Sequence, residues 1–393
     1  MGSGLKAWVW KVTLFLFMLF IVQVTVRIRR VKKVKLLTQM KKEKQLACRY
    51  ILNDETIFVS IPSYRDPELV STIFDCLEKS TCPLRIYIGV CQQNTAVEQD
   101  GFEGYKKLAA KEGTGVYTDN VRIYRMEAGK AQGPMYARSM IEQHLYNGEK
   151  YYLLIDSHTR FVKDWDSKLI HMLVQASAKS AKPVITMYPE DYQKLTNRNT
   201  KPRPPAFFRL KKFNEKTGLP EVEGPICKHR PREPLPNLFW GACCSFSFAN
   251  MMKEVPYDPY CPYVFLGEEI SMAARLYTHG YDLFTPTEMV VNHMWTRRRP
   301  TFWENFSGEN DIHKYRRSLE QVGYRRLRNL LGLQSLMPGD LELGRYGLGT
   351  IRSLEQYEHY CGVNLLLQTA TDNAWSGLTA HPSQDEVMIK IGK

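Results

Sequence analysis

Beyond its first fifty residues the sequence has almost no net charge. The whole chain of 393 residues carries +13. Residues 1–50 hold twelve Lys or Arg against one acid, Glu43, a net of +11, so the remaining 343 residues share only +2. A nucleic-acid-binding protein spreads positive charge over its folded surface, so that class is excluded. Low-complexity tracts and internal repeats are also missing, which excludes solenoids and fibrous arrays. The nine cysteines include no C-x2-C pair and one vicinal pair, Cys243-Cys244, and an odd count does not settle the redox compartment. Long apolar runs are scarce too. The one present, Val12 to Val26 (VTLFLFMLFIVQVTV), spans only ~22 Å as a helix against a hydrocarbon core of ~30 Å. Extended back to Ala7 it reaches about 20 residues, with Trp8 and Trp10 as interfacial aromatics and Lys11 able to snorkel.

No small-x-small cleavage site follows this run; RIRRVKKVK does. Residues 7–26 therefore read as a retained transmembrane anchor behind a short tail, residues 1–6, rather than as a removed signal peptide. Sidedness is contested within the sequence. Nine positive residues between Arg27 and Lys44, against Lys6, Lys11 and the amino terminus, would leave the C-terminal portion in the cytoplasm. A sequon, Asn305-Phe306-Ser307, points instead to the lumen.

After a basic stem over residues 27–55, strand and helix patterns alternate. TIFVSIP (Thr56 to Pro62), LRIYIGVC (Leu84 to Cys91), VRIYRM (Val121 to Met126), YYLLI (Tyr151 to Ile155) and PVITMYP read as strands. PELVSTIFDCLEKS, GPMYARSMIEQHLY and DSKLIHMLVQASAKS between them read as helices. The pattern predicts an α/β domain over residues 56–300 with a mostly parallel, doubly wound sheet. In such sheets ligands bind beyond the carboxyl ends of the strands. A helical C-terminal extension over 301–393 contains HKYRRSLEQVGYRRLRNLLG, which has a basic and an apolar face.

Two acidic clusters lie eight positions apart in YYLLIDSHTRFVKDWD. Asp164-Trp165-Asp166 is a literal Asp-x-Asp, the pattern many sugar-nucleotide enzymes use for a divalent metal. It also precedes an amphipathic helix, where one aspartate would cap the helix and the other would sit on its dipole. Asp156-Ser157-His158 follows YYLLI at the carboxyl end of a strand. In extended geometry Asp156 and His158 point to one side, and an O,N donor pair suits Mn2+ better than Mg2+. The second cluster is the stronger metal candidate.

Other residues cluster by the same sheet rule. In SIPSYRD, Tyr64 would stack on a base beside Pro62 and Ser63, with Arg65 and Asp66 reaching ribose or phosphate. Gly133, Pro134 and Arg138 would bring backbone N–H groups and a guanidinium to a phosphate. Trp240 offers a platform of the kind sugars favour, and Gly241 lets backbone approach a ligand. Glu268 and Glu269 open a helix and either sit ionised on its dipole or face an acceptor or sugar hydroxyl. His293 would close the metal site, with Arg297 to Arg299 folding over a diphosphate. Residues 201–236 hold eight prolines and read as a rigid connection or an acceptor-recognition loop, the latter preferred.

In this order SIPSYRD, GPMYAR, IDSHTRF with DWD, FWGACCSFSF, DPYCPYVFLGEE and NHMWTR resemble glycosyltransferase family 60 over roughly Thr56 to Arg299. These are the UDP-GlcNAc:polypeptide α-N-acetylglucosaminyltransferases, with Golgi members that modify Thr and cytoplasmic members that modify a hydroxyproline. The resemblance implies a GT-A fold, a retaining reaction, and Mn2+ bridging Asp156, His158 and His293 to UDP. It implies donor-binding roles for Pro62, Ser63, Tyr64, Arg65, Gly133, Arg138, Gly241 and Arg297. Trp240, Asp258, Glu268 and Glu269 fall on its catalytic motifs. The implied partners are UDP-GlcNAc, a polypeptide acceptor and a membrane, with a luminal domain in the Golgi; a cytoplasm-facing domain is the alternative. The competing function is a catalytically inactive, membrane-tethered nucleotide-sugar or glycan-binding protein.

Overall fold

The computed structural model describes Met18, residues 22–27, Cys48, and residues 55–115, 117–194, 202–296, 301–305 and 311–379. Residues 1–51 and 52–393 form separate units. In the first unit every described residue is helical. Most of the expected membrane span and basic stem lies outside the described residues, as do Arg297 and most of the sequon. Among the described residues, no helix is long and apolar enough to cross a membrane.

The second unit begins with β1 (Ile57–Tyr64), α1 (Leu69–Lys79), β2 (Ile86–Asn94), α2 (Gly101–Lys111), β3 (Val121–Glu127), α3 (Pro134–Leu145) and β4 (Tyr151–Ile155). It continues with β5 (Thr159–Phe161), α4 (Trp165–Ser177), β6 (Pro183–Thr186), β7 (Glu190–Asp191), β8 (Arg209–Phe213), β9 (Pro220–Glu223), β10 (Leu235–Pro236) and β11 (Cys244–Phe248). Then come α5 (Asn250–Glu254), α6 (Glu268–Thr278), β12 (Asp282–Thr285), β13 (Val291–His293), α7 (Phe302–Asn305), α8 (Asp311–Leu330), α9 (Leu354–Cys361) and α10 (Asp372–Ser376).

Eight strands form the main sheet in the order β10-β12-β6-β11-β4-β1-β2-β3. Alternation along β1 explains why both of its faces are covered. Ile57, Val59 and Ile61 join the core under α1, α2 and α4, while Phe58 points to the opposite core under α3 and α6. Leu327 of α8, Tyr357 of α9 and Ala374 of α10 belong to that second core, so the C-terminal helices share it with the sheet.

The sheet is less parallel than its sequence suggests. Strand β11 runs antiparallel between β4 and β6, and β10 runs antiparallel to β12. Hydrophobic alternation reports burial and not strand direction, so CSFSF carries no sign of its reversal. Three short strands, in the order β5-β13-β7, form a second sheet. The proline-rich segment is not a plain loop, because β8 and β9 pair within it as an antiparallel hairpin.

The literal Asp-x-Asp is structural, though not in the expected way. Asp164 holds the N-cap position of α4 but is left-handed (φ 60°), and its side chain makes no cap bond. Asp166 is fully buried and accepts from Arg85 Nη2 at 2.8 Å, Arg85 Nε at 3.0 Å and Thr81 N–H at 2.6 Å. Trp165 is buried beside it and donates to the Cys76 carbonyl at 2.9 Å. Removing one partner of a buried ion pair strands the other charge, so Asp166→Ala should destabilise the domain by ~3–5 kcal/mol. Asp164→Ala should cost about 1 kcal/mol or less, the difference between aspartate and alanine in a left-handed turn. Urea unfolding of the two variants checks this ordering; equal losses would refute it.

Candidate active site

Asp156 directly follows β4, at the carboxyl end where an open α/β sheet presents ligands. The chain then turns into β5, whose Thr159 pairs with His293 of β13. That register sets the rings of His158 and His293 against each other, with centroids 4.4 Å apart. One ligand atom from each of Asp156, His158 and His293 lies within 4.8 Å of the others. The sequence brings together three residues spread over 138 positions by one strand end and one antiparallel pairing.

The donor set fits a divalent metal of intermediate softness. His158 Nδ1 donates to Asp66 Oδ2 at 2.7 Å, and the same carboxylate accepts from Ser157 Oγ at 2.6 Å. A carboxylate on Nδ1 fixes the tautomer that leaves Nε2 as the lone-pair atom, the usual arrangement behind a metal-binding histidine. His293 Nε2 lies 3.1 Å from Asp156 Oδ2. One oxygen and two imidazoles suit Mn2+ better than the all-oxygen shell of Mg2+. Burial would raise the Asp156 pKa, yet the His293 hydrogen bond, the Arg138 guanidinium and the two imidazoles together hold it well below the usual carboxylate range. The carboxylate is therefore ionised and ready to bind a cation at any physiological pH.

Arg138 sits on the first turns of α3, buried, with Nη2 2.9 Å from Asp156 Oδ1 and Nη1 bonded to Glu268 Oε1. It was expected at a phosphate; instead both ends of its guanidinium are spent on carboxylates. Glu268 also accepts from Tyr257 OH at 2.8 Å. Glu269 accepts from Ala242 N–H at 3.1 Å and from the Tyr188 hydroxyl. Glu269 does sit in the first turn of α6, as expected, and is held there by two hydrogen bonds as well as by the helix dipole. Burial pushes its pKa up to about 7 against the pull of those two hydrogen bonds and of Arg138, and the charge of Glu268 adds to the rise.

Other candidates lie elsewhere or serve the framework. Tyr64 is buried with its ring edge-on to Phe302 at 5.2 Å, so it presents no open stacking face. Arg65, left-handed at φ 48°, pairs with Glu98 at 2.5 Å. Pro62 and Ser63 lie within β1, and Ser63 is buried. Asp66, expected at ribose or phosphate, supports His158. Trp240 is buried and donates to Ser245 Oγ at 2.9 Å, which leaves no platform for a sugar. Gly241 is close-packed by protein: a Cβ there would fall 2.4 Å from Phe208 Cζ. Asp258 is buried against Arg326 Nε at 2.6 Å and anchors α8. Gly133, at φ +99°, starts α3 in a conformation that side chains rarely adopt.

Tyr188 escaped the sequence reading, although it follows β6 at the same carboxyl edge that singled out Asp156. It lines a cavity of about 520 Å3 together with Trp295, whose ring lies 4.4 Å from that of His293. Trp295 thus stands between the cavity and His293, and none of the three cluster residues lines the cavity itself.

The glycosyltransferase (GlcNAc) family matches residues 56–114 and 102–366 of the sequence. The chain belongs to this family. Three solved structures similar to this glycosyltransferase fall well below the identity at which activity carries over. GalNAc-T7, crystallised with UDP, GalNAc and Mn2+, is 15% identical with a TM-score of 0.49, over 78% of this chain and 56% of that one. The chain thus spans less than two thirds of GalNAc-T7. S. aureus TarS, residues 1–349, is 9% identical with a TM-score of 0.39, over 70% of this chain and 72% of that one. The mannosyltransferase PcManGT from Pyrobaculum calidifontis, in complex with GDP-Man and Mn2+, is 12% identical with a TM-score of 0.39, over 72% and 73%. No curated protein matches the sequence.

Because Asp66 orients His158 without joining the cluster, Asp66→Asn should weaken Mn2+ binding by ~10–100-fold while the glycosyltransferase stays folded. Mn2+ titration followed by electron paramagnetic resonance measures the change; unaltered affinity would show that His158 does not ligate the metal.

Proposed function

We propose that this glycosyltransferase is a retaining, Mn2+-dependent GT-A enzyme that moves GlcNAc from UDP-GlcNAc to a Ser, Thr or hydroxyproline hydroxyl of a protein. The observation that carries this reading is the Asp156, His158 and His293 cluster at the carboxyl end of β4 in a chain of the GlcNAc family. A divalent cation held by these three side chains supplies positive charge to the diphosphate leaving group. Asp66 keeps His158 in the ligating tautomer. The His293 hydrogen bond and the Arg138 guanidinium lower the pKa of the Asp156 carboxyl, and Arg138 holds it in place.

The glutamates favour attack of the acceptor from the face the leaving group vacates. A covalent intermediate would require a carboxylate free to reach the anomeric carbon. Glu268 is held by Arg138 and Tyr257. Glu269 is held by Tyr188 and the Ala242 N–H, and burial raises its pKa to about 7. Neither is an open nucleophile. The acceptor hydroxyl then loses its proton to the departing phosphate oxygen, and no side-chain base is needed. We further infer that the domain is luminal in the Golgi behind an anchor over residues 7–26, on the strength of the Asn305 sequon and the family resemblance.

Radiolabelled UDP-GlcNAc with mixed Ser, Thr and hydroxyproline peptides tests the reaction. Wild type should transfer label only with Mn2+, and Asp156→Ala or His158→Ala should lose at least ~100-fold. Undiminished transfer by Asp156→Ala would refute the metal assignment. Intact-mass measurement of wild type with UDP-GlcNAc alone should reveal no HexNAc adduct; a stable adduct on Glu268 or Glu269 would refute same-face transfer. A glycosidase mobility shift at Asn305 in eukaryotic cells checks sidedness, and an unglycosylated Asn305 in a protease-sensitive domain on sealed microsomes would place the domain in the cytoplasm.

A further inference from the structure

The cavity of about 520 Å3 behind Trp295 carries charges of both signs, and they are not equally satisfied. Glu190 is bonded to Arg203, whose guanidinium also meets Asn292. Glu223 accepts from Arg209 Nε at 2.6 Å. Asp191 has no such cation. Its Oδ1 accepts the Gln193 N–H at 3.0 Å, and among the described residues no donor reaches Oδ2. The residue is only 9% exposed, so water does little to replace the missing counter-ion. A carboxylate in this state gains from an incoming cation.

Strand register explains where that carboxylate stands. Asp191 of β7 pairs in parallel with His293 of β13, so the two side chains leave the small sheet on the same face. Trp295 follows two positions after His293. Its ring packs on His293 at 4.4 Å and edge-on to Tyr188 at 5.7 Å, and its indole N–H donates to the Pro189 carbonyl at 3.0 Å. The indole is thus fixed in place, yet 48% of the residue is exposed. The negative face of an aromatic ring attracts a cation within ~6 Å of its centroid, and indole does so best. A carboxylate and an indole lining one cavity together favour an ammonium or guanidinium over a neutral side chain.

Lys211 lines the opposite wall, on the β8–β9 hairpin, and among the described residues no anion pairs with it. It is exposed, so water and salt screen its ammonium and an acidic ligand gains little there. Burial therefore decides between the two signs, in favour of the group that Asp191 attracts. We propose that Asp191 and Trp295 form a subsite for a basic side chain of the acceptor, a Lys or Arg a few residues from the hydroxyl that receives the sugar. A cation within ~6 Å of the Trp295 ring lies within about 10 Å of the His293 ring, the reach of about three extended residues. This rests on the glycosyl-transfer reading above and adds the charge class of the acceptor. Neither residue takes part in the chemistry, so the preference belongs to binding and not to the transfer step.

The full chain, with UDP and Mn2+, is titrated with three sets of fluorescent peptides built on Ala and Pro around a central Ser, Thr or hydroxyproline. One position within three residues of the centre carries Lys in the first set, norleucine in the second and Glu in the third. Fluorescence anisotropy gives the affinities, and transfer from UDP-GlcNAc is read separately. Wild type should bind the Lys set at least ~5-fold more tightly than the norleucine set, and the Glu set no better than norleucine. In transfer the same preference should appear in KM and not in kcat. In Asp191→Asn, which keeps an oxygen for the Gln193 N–H, the Lys-to-norleucine ratio should fall below ~2-fold. A partial folding defect lowers both sets together and leaves that ratio in place. Equal affinity for Lys and norleucine in wild type, or an unchanged ratio in Asp191→Asn, overturns the subsite. Tightest binding of the Glu set also overturns it and gives the cavity to Lys211. Preference for Lys without any turnover of UDP-GlcNAc contradicts the glycosyl-transfer reading while the cation subsite stands.

Discussion

A buried guanidinium between two carboxylates organises this molecule. Arg138 comes from the second turn of α3, Asp156 from the end of β4, and Glu268 from the first turn of α6. Burying one charge alone is costly, and the guanidinium becomes tolerable only because both ends meet an anion. Three elements are thereby tied to one another at the carboxyl edge of the sheet. Together with the His293 hydrogen bond, the same contact lowers the Asp156 pKa against the desolvation that would raise it. It also ties up Glu268, which removes one of the two acids from nucleophilic work.

The linkage extends away from the site. Glu268 accepts from Tyr257 OH, the Tyr257 N–H donates to Glu142 at 2.8 Å, and Glu142 accepts from Tyr152 OH at 3.2 Å. Burial pushes Glu142 up to about 8 despite those two bonds and the nearby Arg275 and Arg138. Its folded-state pKa lies above that of an unfolded chain, so its contribution to stability is present at acid pH and fades as pH rises toward 8. Glu269 acts in the same direction with a lower endpoint near 7. These raised acids oppose Asp156, whose lowered pKa favours the fold at neutral pH over acid.

Much of the site was legible because a local rule and a topological rule coincide at Asp156. A run of five apolar residues announces β4, and sheet topology puts the next residue at the ligand edge. His293 could be named as a candidate, but only the β5–β13 register explains why it meets His158. Other candidates met partners that the sequence does not show. Trp240, Asp258, Gly241 and Arg138 have side chains or backbones suited to a ligand, and in the fold each contacts protein: Ser245, Arg326, Phe208, and the two carboxylates. Residue type predicts what a group can bind and says nothing of which partner reaches it first. The antiparallel course of β11 was hidden for a similar reason, since pairing direction depends on a distant strand.

The central claim is that three side chains hold a divalent metal which in turn holds the nucleotide. Isothermal titration with UDP, in Mn2+ and after chelation, tests it most directly, in wild type and in His293→Ala. The account predicts that Mn2+ tightens UDP binding by at least ~10-fold in wild type, a difference of about 1.4 kcal/mol, and that His293→Ala abolishes the metal dependence. Equal affinity with and without metal in wild type, or full metal dependence in His293→Ala, would contradict it.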